Sequence, residues 1–215
     1  TQFNDPNDLH NYPQTLELDI KAIQQIAPKA YVFVPNVELM YPKGLRVESY
    51  DFLGIDKVME GLHRPGHFGG VATVVQRLFE LLQPNKAYFG EKDFQQLKIV
   101  EQIGKKMRVD IQPCPIIREA NGLAMSSRNQ RLTSDQKEKA AVIFNILTKV
   151  KKAFGKASLN ELHLIAKQEL APLPDFKLEY FEIAYEENLQ KVQSHRPPGR
   201  CRAFISVWVD DVRLI

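Results

Sequence analysis

The stretch Gly90-Glu91-Lys92-Asp93-Phe94-Gln95-Gln96 carries the densest set of groups suited to phosphate chemistry. A glycine where a strand gives way to a helix lets backbone approach a phosphate, and the helix N-terminus presents free N–H groups. Lys92 can neutralise a phosphate oxygen, and Gln96, one helical turn further on, suits a polar substrate. The same residues also fit a plain helix start, with Glu91 and Asp93 complementing the helix dipole and Lys92 solvated.

A second cluster is Met125-Ser126-Ser127-Arg128-Asn129, preceded by Arg118 and Asn121-Gly122. Two hydroxyls beside a guanidinium make a phosphate grip, because arginine adds a fixed fork of donors. Its alternative is a polar connection before a helix. A third cluster is Arg64-Pro65-Gly66-His67-Phe68-Gly69-Gly70, where a Pro-Gly turn aims Arg64 at a ligand and Glu60 lies near enough for a ribose hydroxyl. Here an ordinary interhelical loop and a hydrogen-bonded structural His67 are the competing reading. Asp210 and Asp211 read as a hairpin turn, not a catalytic pair.

These residues need elements to position them. Pro13 opens a helix whose face carries Leu16, Ile20, Ile23 and Ile26; Tyr31 to Val34 reads as a buried strand. Val37 to Met40 reads as a helical turn before Tyr41-Pro42-Lys43-Gly44, and residues 45–60 as a strand and then a short helix ending near Glu60. The Gly- and Pro-rich run 64–70 reads as irregular, feeding a helix marked by Val71, Val75 and Leu78 and stopped by Pro84. Ala87 to Phe89 is a strand, Phe94 to Met107 a helix and Val109 to Ile111 a strand punctuated by Pro113 and Pro115. Helix–strand alternation with short connections predicts a parallel α/β sheet up to about residue 114.

Beyond that the pattern changes. Residues 134–154 read as one long helix capped by Ser134, and Ser158 with Glu161 forms a capping-box match opening another. Leu178 to Ala184 and Ala203 to Val209 follow as strands, so a smaller α+β unit is expected from 115 onward.

Composition narrows the function classes. The 215 residues are 44% apolar and 26% charged, ordinary for a globular protein, and no run reaches the ~18 apolar residues of a membrane span. Lys and Arg number 29 against 26 Asp and Glu, a net charge of +3. That excess suits a small anionic ligand but is scattered, which argues against a nucleic-acid track. Cys114 and Cys201 make no disulfide framework and read as free, buried thiols of a reducing compartment. The five histidines show no zinc-site spacing. Thr1 at one end and an apolar run reaching Ile215 at the other read as the interior of a longer polypeptide.

Taken in order, Thr1-Gln2-Phe3-Asn4, Tyr12-Pro13, Glu60-Gly61, Arg64 to Phe68, Gly90 to Gln96, Gly122 to Asn129 and Val212 to Ile215 resemble the pantoate–β-alanine ligase family. The resemblance spans nearly the whole chain and is weakest over 135–200. It implies a nucleotidylyltransferase fold: a Rossmann-like domain, here 1–114, and a smaller C-terminal lid domain, here 115–215. It implies a ligase using ATP and Mg²⁺ to convert (R)-pantoate to pantoyl adenylate, from which β-alanine displaces AMP. Carried over by position, Gly90, Glu91, Lys92, Asp93, Ile117, Met125, Ser126, Ser127 and Arg128 would contact ATP. Lys92, Ser126, Ser127 and Arg128 would be catalytic, and Asp93 the metal contact. Gln2 and Gln96 would hold pantoate, with Glu60 and Arg64 as further contacts. A cytoplasmic homodimer without nucleic-acid or membrane partners is also implied.

The family's His-x-Gly-His turn has no counterpart, since neither His63 nor His67 has the spacing, so these residues alone are expected to be inactive. The rival readings are another adenylyl-transferring nucleotidylyltransferase, or an inactive fragment or nucleic-acid-binding module.

Overall fold

A computed structural model describes residue 10 and residues 12–45 and 49–215. Gln2, with the rest of the opening Thr1-Gln2-Phe3-Asn4, lies outside the described residues. The described residues form α1 (Leu16–Ile26), α2 (Val37–Met40), α3 (Glu60–His63) and α4 (His67–Leu82). The unit β1 (Lys86–Gly90), α5 (Phe94–Met107), β2 (Asp110–Cys114) follows, with β1 and β2 parallel and Gly90 opposite Cys114. Then come α6 (Ser134–Lys139), α7 (Val142–Ala153), α8 (Leu159–Leu170) and an antiparallel sheet of β3 (Phe176–Tyr185), β4 (Cys201–Val209) and β5 (Val212–Leu214). The fold is mixed α/β, with a parallel and a smaller antiparallel sheet.

Alternation along the strands decides what covers each face. Ile205, Val207 and Val209 of β4, with Phe181 and Ile183 of β3, pack on Ile143, Ile146 and Leu162 of α7 and α8. Phe204, Tyr180 and Ala184 face the other way, onto a core built from α4, α5 and residues 50–59. The antiparallel sheet therefore joins two hydrophobic clusters. Thr133 and Ser158 each close a capping box, on α6 and α8, and the Asp210-Asp211 turn joins β4 to β5. Through Asp210 and Asp211 that turn also binds Gln136 and Arg131, tying the hairpin to α6 and to the chain before it.

Several elements depart from the sequence reading. Tyr31 to Val34 forms no strand among the described residues and is exposed, because an extended segment becomes a strand only with a ladder partner, and β1 pairs only with β2. α1 begins at Leu16, three residues after Pro13, and buries none of its residues. The described part of 45–60 holds a 3₁₀ turn at Ile55–Lys57 and no strand, and a helix starts, not ends, at Glu60. The run 64–70 is irregular only as far as Gly66, whose φ of 81° ends the turn; His67 to Gly70 are the first turn of α4. The long helix over 134–154 is two helices, capped by Thr133 rather than Ser134. It tightens into i→i+3 bonds at Ala141 and Ile143, which redirects α7 onto the sheet. Both cysteines are free, as expected, but half-buried.

Candidate active site

β1 delivers the chain to Gly90, Glu91–Asp93 make a 3₁₀ turn and α5 begins at Phe94. Gly90 has ordinary extended backbone, and a Cβ there would touch nothing within 4 Å, so glycine leaves the end of the strand bare without being required by its conformation. Lys92 Nζ lies 3.6 Å from Asp93 Oδ1, with the lysine side chain 18% exposed and the aspartate 45%. Gln95 points into the core, accepting from Glu60 N (3.1 Å) and donating to the carbonyls of Ile55 (2.6 Å) and Val58 (2.8 Å). Gln96, free of that network, also lines the cavity.

The second cluster sits at the end of a small hairpin. Arg118 bridges Ala124, Glu119 N donates to Leu123 O and Gly122 turns the chain at φ 94°. Ser126 then caps a 3₁₀ turn over Ser127–Arg131, its Oγ accepting from Arg128 N at 3.3 Å. Ser127 Oγ donates to Tyr12 Oη at 2.8 Å, and the Arg128 guanidinium lies 5.5 Å from the Tyr12 ring centre. Buried Asn129 fastens the base of the hairpin by donating to Glu119 Oε1 (2.7 Å) and Ala124 O (3.0 Å).

One cavity of about 530 Å³ brings these pieces together. Its wall includes Glu91, Lys92, Asp93 and Gln96 from the first cluster and Ser126 and Arg128 from the second. Glu60 and Arg64 line it as well. Gly90, Ile117, Met125 and Ser127 do not; Ile117 and Met125 are 65% and 56% exposed, and Met125 and Ser127 line a shallow groove behind the loop. The sequence reading places all of these in one site, and the fold separates an inner set from an outer one.

Glu60 is more tightly engaged than a ribose contact would be. Arg213 Nη1 and Nη2 each donate to it at 2.7 Å, and Tyr180 Oη donates at 2.7 Å. Arg213 Nε also donates to Glu179 Oε2 at 2.8 Å, and Glu179 accepts from Ser206 Oγ and Trp208 Nε1. A β-bulge between Leu178 and Tyr180 brings Glu179 and Tyr180 to the same cluster, since two residues there oppose one on the partner strand. Burial pushes both carboxyls up, but the Arg213 hydrogen bonds and charge outweigh it and hold Glu60 and Glu179 below the usual carboxylate range. Burial and the Glu60 charge drive the Tyr180 hydroxyl pKa far up, so it stays a donor.

Sequence reasoning missed Arg213, Glu179 and Tyr180, and it missed Arg202, which stacks 4.0 Å over Phe94 and pairs with Glu91 (3.1 Å) and Glu186 (3.2 Å). The available signal was a charged residue between two apolar ones in a strand, Arg213 between Val212 and Leu214; Glu179 gave none, since its strand also carries Lys177 and Glu182. Among the described residues no three His, Cys, Asp or Glu side chains converge as a metal cage, and no helix is long and apolar enough to cross a membrane.

The model of a family described as pantoate-beta-alanine ligase matches residues 1–215. The pantothenate synthetase of Flavobacterium psychrophilum is 46% identical over 217 residues, an alignment covering 100% of this chain and 77% of the relative. That of Christiangramia forsetii is 42% identical with the same coverage. Among solved structures, pantothenate synthetase from Thermus thermophilus superposes with a TM-score of 0.88 at 37% identity, covering 99% of this chain and 77% of that one. Pantoate-beta-alanine ligase from Francisella tularensis, complexed with beta-gamma ATP and beta-alanine, superposes with a TM-score of 0.76 at 35% identity, covering 100% and 73%.

Proposed function

The chain belongs to the pantoate–β-alanine ligase family, and from that premise we propose how its own residues run the reaction. The activity is the ATP-dependent condensation of (R)-pantoate with β-alanine to pantothenate, through pantoyl adenylate, with release of AMP and pyrophosphate. The single observation that carries the assignment of residues is that the Lys92 corner and the Ser126–Arg128 loop line one cavity.

In the first step the pantoate carboxylate attacks the α-phosphorus and the bond to pyrophosphate breaks. Negative charge grows on the phosphates, so fixed donors at that place lower the barrier most. Lys92 and Arg128 supply charge and Ser126 supplies a hydroxyl from the inner wall; Ser127 acts from behind, through Tyr12. Gly90, Glu91, Asp93, Ile117 and Met125 bound the nucleotide more loosely. Gln96 holds pantoate, together with Gln2. Glu60, with both oxygens engaged, sets the position of Arg64, whose Nη1 lies 3.9 Å away.

In the second step the neutral amine of β-alanine attacks the acyl carbonyl and AMP leaves. So activated an acyl group needs no side chain as base, but water must be excluded meanwhile. We assign that task to a lid over 1–114, formed by the Arg118–Arg128 segment together with the rest of 115–215. Mg²⁺ would arrive on the nucleotide phosphates, and Asp93, half-exposed beside Lys92, is the protein carboxylate that would touch it. Bound there, the ion would neutralise phosphate charge. A cytoplasmic homodimer belongs to the same proposal and rests on the family resemblance.

Pantoate-dependent exchange of labelled pyrophosphate into ATP tests the reading. In a polypeptide that also carries the family's His-x-Gly-His turn, exchange that requires pantoate and not β-alanine is expected. Exchange driven only by another acid would assign the chain to a different adenylyl transfer.

A further inference from the structure

Most cations on the cavity wall have a carboxylate partner. Lys92 has Asp93, Arg202 has Glu91 and Glu186, Arg213 has Glu60 and Glu179, and Arg64 lies 3.9 Å from Glu60. Arg118 differs. It lines the same cavity, is half-buried, and has no carboxylate within ion-pair distance among the described residues. Its guanidinium lies 4.3 Å from the centre of the Phe144 ring, and Nη1 donates to Gly122 O at 3.1 Å. One edge of the fork is thereby anchored and the remaining donors have no protein partner among the described residues.

A guanidinium drawn out of water without a counter-charge is costly unless an anion reaches it. Burial lowers its pKa, and no carboxylate raises it again. The side chain is nonetheless held in one place. Phe144 fixes its plane, and Gly122, whose Cβ would meet the Phe144 ring at 2.5 Å, lets hairpin and ring close together. A fork fixed in this way loses little freedom when it grips a phosphate bidentately. Its neighbours say which anion: Arg118 bridges Ala124, two residues before Ser126, on the wall that also carries Arg128.

We propose that Arg118 is a further catalytic residue, binding the nucleotide's polyphosphate and holding pyrophosphate as it departs from the α-phosphorus. The assignment rests on the ligase reading above. Arg118 takes no proton: the bond formed is carboxylate oxygen to phosphorus, the bond broken is phosphorus to the pyrophosphate oxygen, and the guanidinium offsets the charge that pyrophosphate carries away.

The test uses Arg118→Met, which keeps an unbranched stem against Phe144, Arg118→Lys, and Phe144→Leu, which keeps the charge and removes its platform. Calorimetry with pyrophosphate and steady-state kinetics are run on each, with thermal melting to confirm folding. Arg118→Met is expected to weaken pyrophosphate binding and raise the KM for ATP by about tenfold or more, with a matching fall in kcat. The KM values for pantoate and β-alanine stay within about twofold, and Arg118→Lys recovers part of the loss. Phe144→Leu weakens pyrophosphate less than loss of the charge does, and it reports on the assignment even if Arg118→Met does not fold. Unchanged pyrophosphate affinity in Arg118→Met, or in Phe144→Leu where that variant stands alone, overturns the proposal. So does an effect confined to pantoate or β-alanine, which would make Arg118 a carboxylate contact. A parent enzyme that bound neither ATP nor pyrophosphate would overturn the ligase reading itself.

Discussion

Lys92 and Arg128 both line one cavity, and each brings a charge that water screens poorly there. Loss of one such donor from a sheltered site removes ~2.7–4 kcal/mol of transition-state stabilisation. Lys92→Ala and Arg128→Ala should each lower kcat by about a hundredfold or more, and turnover near the parent's would remove them from the catalytic set. Gln96→Ala should act mainly on the pantoate KM; an unchanged value would free Gln96 of that role. That these residues belong together was legible in the sequence because each lies in a contiguous motif, and the fold brings all three to one cavity. Glu179, Tyr180, Arg202 and Arg213 were not, because they come from separate strands and meet the N-terminal residues only through sheet pairing and a bulge.

At the scale of elements, the hairpin from Ile117 to Met125 presents the Ser126–Arg128 loop, and its turn depends on Gly122. An alanine there would be strained by about 1–3 kcal/mol at a φ of 94° and would push on Phe144. Gly122→Ala is therefore expected to lower Tm by several degrees and to raise the KM for ATP, since the ring beneath Arg118 must move; a Tm and KM equal to the parent's would contradict this. If the segment from Arg118 to Arg128 is the moving part of a lid, saturating ATP and pantoate should slow its cleavage by protease. Equal cleavage rates with and without the substrates would rule the lid out.

Elements with strong local signals, such as the Ser158 capping box and the helix of the β1–α5–β2 unit, were readable in advance. The break after α6 was not, because Lys139-Ala140-Ala141-Val142 has high helix propensity and the break arises from packing onto the sheet. Tyr31 to Val34 misled for a related reason: its apolar pattern states a preference for burial that only a partner strand can satisfy.

Across the whole molecule, Arg213 joins the last strand to α3 and through Gln95 to the first turn of α5. Breaking a buried pair by removing one partner costs roughly 3–5 kcal/mol, and Arg213→Met should destabilise by about that amount in denaturant titration. The pH dependence has a definite sign. Glu60 and Glu179 are held below their ordinary value of 4.5, so their contribution is full above that pH and is lost as pH falls through the lowered values. Arg64, His63 and Tyr180 also face these carboxylates, and the Arg213 charge dominates among them. The stability gap between the parent and Arg213→Met should narrow on acidification, as the carboxyls that lose Arg213 take up protons first; a gap that widens on acidification would reverse the assigned sign.

The account turns on a triphosphate lying between the Lys92 corner and the Ser126–Arg128 loop. A crystal of the enzyme with a non-hydrolysable ATP analogue measures that directly. The phosphates should span the two walls, within hydrogen-bond reach of Lys92 on one side and Ser126 and Arg128 on the other. An analogue bound elsewhere, with these side chains in their present positions and this cavity vacant, would contradict the account.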